Sequence, residues 1–127
     1  MWGYDFYLFS IRLGENITGS TVGNYPLNEG ENDIESIYKV FDNGGWGPWA
    51  KFYRNTIIHQ YNIKFRVGQK VREDNLFNLN YWSHIQRFYY YKQPAYFYRT
   101  NPYSVVHKPS LAQIDDYFYM TEFICKL

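Results

Sequence analysis

The sequence predicts an α+β fold in which one helix from the N-terminal half packs on a curved antiparallel sheet of about four to six strands. One segment has clear helical periodicity, and several others alternate as strands do. In addition, 23% of the residues are Phe, Tyr or Trp, and aromatic residues favour strands. There is no internal repeat or linker, so residues 1–127 are predicted to form a single domain.

The N-terminal half is predicted to contain one strand, one loop and the helix. Residues 4–13 alternate as a strand does, and residues 14–30 are rich in Gly, Asn, Ser and Thr, which indicates a loop. Asn32, with Glu35 three residues later, resembles a capping box, and the glycines at 44 and 45 end the helix. The apolar stripe of this helix has the i, i+3, i+4, i+7 spacing and consists of Ile34, Ile37, Tyr38 and Phe41.

The middle of the chain is predicted to be mostly strand. Residues 56–67 alternate between apolar and polar side chains, which indicates a strand. Residues 76–92 also alternate, but the phase changes after Ile85. A β-bulge explains the change, and the alternative is a helix that starts at Tyr81.

Proline residues divide the remainder of the sequence. Pro94 separates residues 76–92 from residues 95–100, which are predicted to return as the second strand of a hairpin. Residues 103–107 are predicted to be extended. The segment from Ser110 has two interpretations, because Ser110 and Gln113 can cap a short helix whereas the aromatic residues that follow favour a closing strand.

The charges are unevenly distributed, although the net charge is only +1. Residues 1–50 have a net charge of −5 and residues 51–114 a net charge of +8, and no Asp or Glu occurs between residues 75 and 114. Such a separation marks a face for an anionic partner, or it is the ordinary display of Lys and Arg on strands and of acids on a helix.

The predicted contact surface centres on residues 87–103, which hold eight aromatic and three basic side chains and no acid. If these residues form strands, one face lines the core, and the other either presents rings and cations to a partner or is covered by loops of the same chain. Two tryptophans in the glycine-rich segment 44–49 either cap the core or extend this surface. The predicted partner-binding residues are Arg87, Tyr89, Tyr90, Tyr91, Lys92, Tyr96, Tyr98, Arg99, Trp46 and Trp49.

Catalytic and metal-binding patterns are absent from the sequence. It contains no phosphate-binding glycine motif, nucleophile elbow or zinc-protease helix, and its single cysteine excludes an internal disulfide. No catalytic residue, metal site or cofactor is therefore predicted. His59, His84 and His107 lie on three separate segments, and an RNA-cleaving arrangement requires the fold to bring them together.

These observations predict a non-enzymatic cytoplasmic protein that binds another protein. The frequent use of Asn, Ile, Tyr and Lys indicates an AT-rich genome. This suggests a phage-type or viral inhibitor that occludes a host or defence protein, acting in the host cytoplasm. One alternative is a protein that binds single-stranded nucleic acid, or a small RNase-like toxin. Another is an immunity protein that meets a basic toxin through Glu31, Asp33 and Glu35. Carbohydrate binding by the tryptophans and a homodimer remain open, and no membrane segment is predicted.

Overall fold

The computed structural model describes residues 4–13, 21–22, 29–31, 33, 35–36, 39, 46–99, 101, 103 and 110–126. The strands within these residues are β1 (Phe6–Leu13), β2 (Thr21–Val22), β3 (Glu29–Glu31), β4 (Lys51–Tyr53) and β5 (Arg87–Tyr98). The helices with complete bounds are α1 (Asn55–Gln60), α2 (Glu73–Trp82) and α3 (Ala112–Ile124). The composition is thus mixed helix and strand, as the sequence predicts.

The strands in the described part of the chain form one sheet with β1 and β5 at its centre. Along the sheet the order is β2, β1, β5, β3, and β4 pairs with the start of β1 on the β2 side. The pairings of β2 and β4 with β1, and of β3 with β5, are antiparallel, whereas β1 and β5 are parallel. The sheet is therefore mixed, which corrects the antiparallel prediction. The two central strands are far apart in sequence, so no short hairpin dictates their direction.

Strand β5 runs through Pro94 without the predicted hairpin. Its pairing with β1 shifts register between Phe9, which pairs with Tyr91, and Ile11, which pairs with Tyr96. Pro94 lies opposite Ser10 within this irregularity. Proline has no backbone N–H, and it fits there because a residue at a bulge does not need to donate a hydrogen bond to the neighbouring strand.

Segment 56–67, predicted to be a strand, begins as helix α1. Ile57 is buried and Tyr61 follows four residues later, a spacing that satisfies a helical stripe as well as strand alternation. Asn62 then adopts a left-handed conformation with φ of 50°, which Asn tolerates better than most residues, and Ile63 returns to the core.

The phase change in segment 76–92 marks the boundary between helix α2 and strand β5. The strand interpretation is correct for residues 87–92 and wrong for residues 76–82. The alternative of a helix from Tyr81 is wrong, because α2 starts at Glu73 and ends at Trp82. The C-terminal segment is helix α3, so the closing strand is wrong, and the Ser110 N–H donates to Gln113 Oε1 at 3.2 Å.

The N-terminal half agrees with the sequence in part. Residues 14–30 include strands β2 and β3 rather than forming only a loop. Glu35, Ser36 and Lys39 are helical, and the remaining residues of the predicted helix lie outside the described residues. The capping contact comes from Asp33, whose carboxylate accepts bonds from the Ser36 N–H and hydroxyl and so has a lowered pKa.

The core lies between the sheet and helix α2. Tyr81 is fully buried at its centre, accepting a bond from the Arg54 N–H at 2.7 Å and donating to the Asp5 carbonyl at 2.5 Å. One side chain thus joins α2 to the start of β1 and to the residue before α1. The buried apolar cluster consists of Ile57, Ile63, Phe77, Leu79, Tyr81, Trp82, Ile85, Phe88 and Tyr90.

Candidate functional site

The aromatic residues of β5 divide between core and surface. Phe88 and Tyr90 are each 1% exposed and belong to the core, which corrects the assignment of Tyr90 to a contact surface. Tyr89 and Tyr91 are half-buried, and the centres of their rings lie 4.8 Å apart. The side chain of Lys92 lies outside the described residues.

Arg87 and Arg99 are both exposed, but their surroundings differ. The Arg87 guanidinium lies 4.6 Å from the centre of the Tyr4 ring, at the start of β5. Arg99 follows the last residue of β5. The two arginines therefore mark opposite ends of β5.

The two predicted tryptophans also separate. The carbonyl of Trp46 accepts a bond from Asn78 Nδ2 at 2.5 Å, and its ring packs against the core. Trp49 instead stacks on Tyr96, with ring centres 5.8 Å apart and planes 18° apart, and contacts Tyr98 at 5.3 Å. We call Trp49, Tyr96 and Tyr98 the aromatic platform.

The platform retains an accessible edge, since Tyr96 and Tyr98 are about 40% exposed. Rings presented in this way can stack on the flat face of a base or on the apolar face of a sugar. The close turn beneath it needs a glycine, because a Cβ on Gly47 would lie 2.2 Å from the Trp49 ring.

Lys51 lies beside the platform and is largely withdrawn from water. Its ammonium donates to the carbonyls of Gly47 and Trp49 and lies 5.5 Å from the centre of the Trp49 ring. Burial lowers the pKa of Lys51 to about 8, and the negative charge of Asp74 opposes this shift. Lys51 is therefore a cation near its titration point at neutral pH.

Asp74 connects Lys51 to an open cleft. It lies in the first turn of α2, where the helix dipole favours a carboxylate. It also lines a cleft of about 460 Å³ together with Lys70, Val71, Arg72, Glu73, Asn75, Gln113 and Tyr117. Asp74 thus both faces a space large enough for a small molecule and acts electrostatically on the buried lysine.

Tyr53 joins strand β4, which carries Lys51, to helix α2, which carries Asp74. The Tyr53 hydroxyl donates to Asn78 Oδ1 at 2.6 Å, and burial is the largest cause that raises the pKa of Tyr53. Tyr53 also packs edge-on against Phe77 and Tyr81. Strand β4 and helix α2 therefore hold Lys51 and Asp74 in a fixed relation, and we call this the acid–lysine pair.

Sequence reasoning missed the acid–lysine pair. Lys51 and Asp74 enter the sequence analysis only through the net charge of residues 51–114. No local pattern links two residues 23 positions apart. The one available signal was a pair of acids at the start of a helix, which by itself is ordinary capping.

The structure describes two of the three histidines. His84 stacks on Tyr61 with ring centres 3.8 Å apart, His59 is exposed on α1, and His107 lies outside the described residues. Within the described ranges, no group of three or more His, Cys, Asp or Glu side chains has the geometry to hold a metal ion. Those ranges also contain no helix whose length and apolar character suit a membrane crossing.

Stability as a function of pH tests the environment of Lys51. Because its pKa is lower in the folded protein than in the unfolded chain, the unfolded chain binds more protons above pH 8, and the free energy of unfolding rises there with pH. Between pH 8 and pH 9.5 the wild type should gain about 2 kcal/mol relative to Lys51→Met. Urea denaturation at both pH values measures this, and parallel curves for the two proteins would contradict the assignment.

The architecture is a mixed sheet with helix α2 on its core side and Asp74 at the N-terminus of that helix.

Comparison with known proteins gives a likeness in fold. No family model and no curated protein matches the chain. Among solved structures, the chain is similar to S. aureus TarS 1-349, crystallised in complex with UDP, with a TM-score of 0.64 and 19% sequence identity. The match covers 95% of this chain but only 31% of the TarS chain. At this level of identity, the likeness concerns the fold.

Proposed function

We propose that this chain forms the acceptor side of a transferase that uses a UDP-activated donor. The observation that carries the proposal is Asp74, a carboxylate that lines the cleft and whose charge acts on Lys51. The fold likeness to a protein crystallised with UDP supports the choice of donor. Since the chain spans about a third of the TarS chain, the proposal is limited to steps that the described residues can perform.

The chemistry follows from the acid–lysine pair. In the proposed step, Asp74 takes the proton from an acceptor hydroxyl, and the hydroxyl oxygen forms a bond to the donor carbon. The bond between that carbon and the diphosphate oxygen breaks, and UDP leaves with the electron pair.

The aromatic platform gives the acceptor its place. A saccharide ring has an apolar face that packs on aromatic rings, and the exposed edges of Tyr96 and Tyr98 offer such a surface. Lys51 lies 5.5 Å from the centre of the Trp49 ring, and the charge of Asp74 acts on it, so we propose that the acceptor extends from the platform towards Asp74. The acceptor is therefore proposed to be a saccharide or another hydroxylated ring compound.

Loss of the platform should weaken acceptor binding more than it affects the chemical step. We expect Trp49→Ala to raise the acceptor KM about tenfold, in line with about 1–3 kcal/mol per stacked ring, with kcat changed less than threefold. The assay measures release of UDP from a panel of UDP-linked hexoses by the intact protein, with saccharide acceptors varied. Phe97→Ala is the matched control, because Phe97 alternates with Tyr96 and Tyr98 on β5. Equal effects of the two substitutions would count against the platform.

Occlusion of a protein partner is the second candidate function. It is favoured by the exposed end of β5, where Phe97, Tyr98 and Arg99 lie in a stretch of sequence without acids. A small phage-type inhibitor without enzymatic activity would use this surface in the host cytoplasm. The same rings and cations would also suit single-stranded nucleic acid.

Charge reversal separates these possibilities. If β5 binds a protein, Arg99→Glu should remove capture of that protein from bacterial lysate while UDP release is unchanged. Labelled single-stranded RNA and DNA, titrated by fluorescence anisotropy at two salt concentrations, test the nucleic-acid alternative, since phosphate contacts weaken steeply with salt. Capture unaffected by Arg99→Glu would exclude this end of β5 as the interface.

A further inference from the structure

Helix α3 is attached to the segment before α2 by one buried carboxylate. Asp116 is 6% exposed, and a single oxygen, Oδ2, accepts bonds from the N–H groups of Lys70 at 2.9 Å and Val71 at 3.2 Å. Its other oxygen lies 3.8 Å from the Arg66 guanidinium. Asp116 therefore satisfies two backbone donors that no helix or strand pairs.

The segment that Asp116 holds leads directly into the acid–lysine pair. Arg72 follows Val71 and adopts a left-handed conformation with φ of 62°, which a residue with a side chain adopts only when its surroundings impose it. The Arg72 carbonyl accepts the N–H of Leu76 at 3.0 Å as helix α2 begins, and Asp74 is the second residue of that helix. The direction in which α2 starts thus depends on the backbone at residues 70–72.

Two aromatic residues of α3 add to the same attachment. The Arg72 guanidinium lies 5.1 Å from the centre of the Tyr117 ring, and the Arg66 guanidinium lies 3.8 Å from that of Tyr119. Tyr117 also lines the cleft that Asp74 faces. Helix α3 therefore contacts the segment on both sides of the residues bonded to Asp116 and forms the opposite wall of the cleft.

We infer that Asp116 is a positioning residue that fixes the backbone at Lys70 and Val71 and thereby directs Asp74 into the cleft. This inference rests on the proposed function of Asp74, and it assigns helix α3 a role in the reaction although α3 supplies no proton acceptor. The two bonds require one oxygen acceptor, not a charge. An amide at position 116 can present its carbonyl oxygen in the same place.

Two substitutions at this position separate geometry from charge. Asp116→Ala removes the acceptor, so the amides of Lys70 and Val71 should exchange with deuterium at least tenfold faster, and kcat for UDP release should fall at least tenfold. The donor KM should change less than twofold. Asp116→Asn retains an acceptor and should keep both the slow exchange and at least a third of kcat. Asp115→Ala, which removes the neighbouring exposed acid, is the matched control and should leave both quantities unchanged.

The exchange measurement does not depend on the reaction. Unchanged exchange at residues 70 and 71 in Asp116→Ala would overturn the inference whatever the activity. Fast exchange with normal kcat would also overturn it, since the held backbone would then not matter to Asp74. If Asp74→Asn itself leaves the rate unaltered, the proposed function fails, while the exchange data still report whether Asp116 holds the segment. Far-UV circular dichroism identifies any variant in which α3 has lost its helix.

Discussion

Asp74→Asn is expected to lower kcat for UDP release at least a hundredfold. The amide has the shape of the carboxylate, but it cannot take the proton from the hydroxyl of the acceptor. Positioned general bases contribute about 10² to 10⁴ in rate. Binding of the acceptor should change little, since the platform is intact. The loss should therefore appear in kcat rather than in the acceptor KM.

The control for Asp74→Asn is Asp115→Asn, which neutralises an exposed acid of α3 that is not among the residues lining the cleft. It should retain at least half of the wild-type rate. Circular dichroism and the midpoint of urea unfolding verify that both variants fold. A rate for Asp74→Asn within fivefold of the wild type would contradict the role of Asp74 as general base. The cleft would then have only a binding role.

Trp82→Ala is expected to cost about 3–5 kcal/mol of the free energy of unfolding, the range observed when a large buried aromatic is truncated. Trp82 is 1% exposed at the end of α2, and its ring lies 4.9 Å from that of Phe88 on β5. Truncation removes a contact between the helix and the sheet and leaves a cavity. The total free energy of unfolding of a protein is typically about 5–15 kcal/mol, so the variant should unfold at a much lower urea concentration than the wild type.

Val67→Ala provides the comparison for Trp82→Ala, because Val67 is 97% exposed. It should change the free energy of unfolding by no more than about 0.5 kcal/mol. Equilibrium urea denaturation followed by tryptophan fluorescence and by circular dichroism gives both values. A cost below 1 kcal/mol for Trp82→Ala would mean that α2 does not pack on β5 as described.

The sequence predicts helix and strand content better than the boundaries between them. Strand β1 was predicted correctly, because both faces of an eight-residue run carry apolar side chains. The strand prediction for segment 56–67 fails at its start because Ile57 and Tyr61 satisfy both the helical and the strand period, and in the structure Ile57 is buried whereas Tyr61 is exposed. The changed phase after Ile85 was a true signal, but it marked the end of a helix rather than a bulge.

The candidate site was harder to predict than the fold. Trp49, Tyr96 and Tyr98 are all predicted from composition as contact residues, but only the structure shows that Trp49, 47 residues before Tyr96, packs on the two tyrosines. Asp74 and Lys51 have no mutual signature in the sequence, because electrostatic coupling depends on distance in space. Tyr90 shows the opposite error, since a tyrosine in an aromatic run can belong to either face.

The parallel pairing of β1 with β5 also constrains the order in which the chain folds. The paired positions are Phe6 with Phe88 at one end and Leu13 with Tyr98 at the other, so each contact closes a loop of more than 80 residues. The entropy of such a closure is paid before the contacts form, which slows folding. During synthesis on the ribosome, β1 emerges before β5. Until β5 is present, the edge of β1 that pairs with it is unpaired, and such an edge is prone to pair with other chains. The edge of β1 that faces β5 is therefore open to mispairing until β5 has been synthesised.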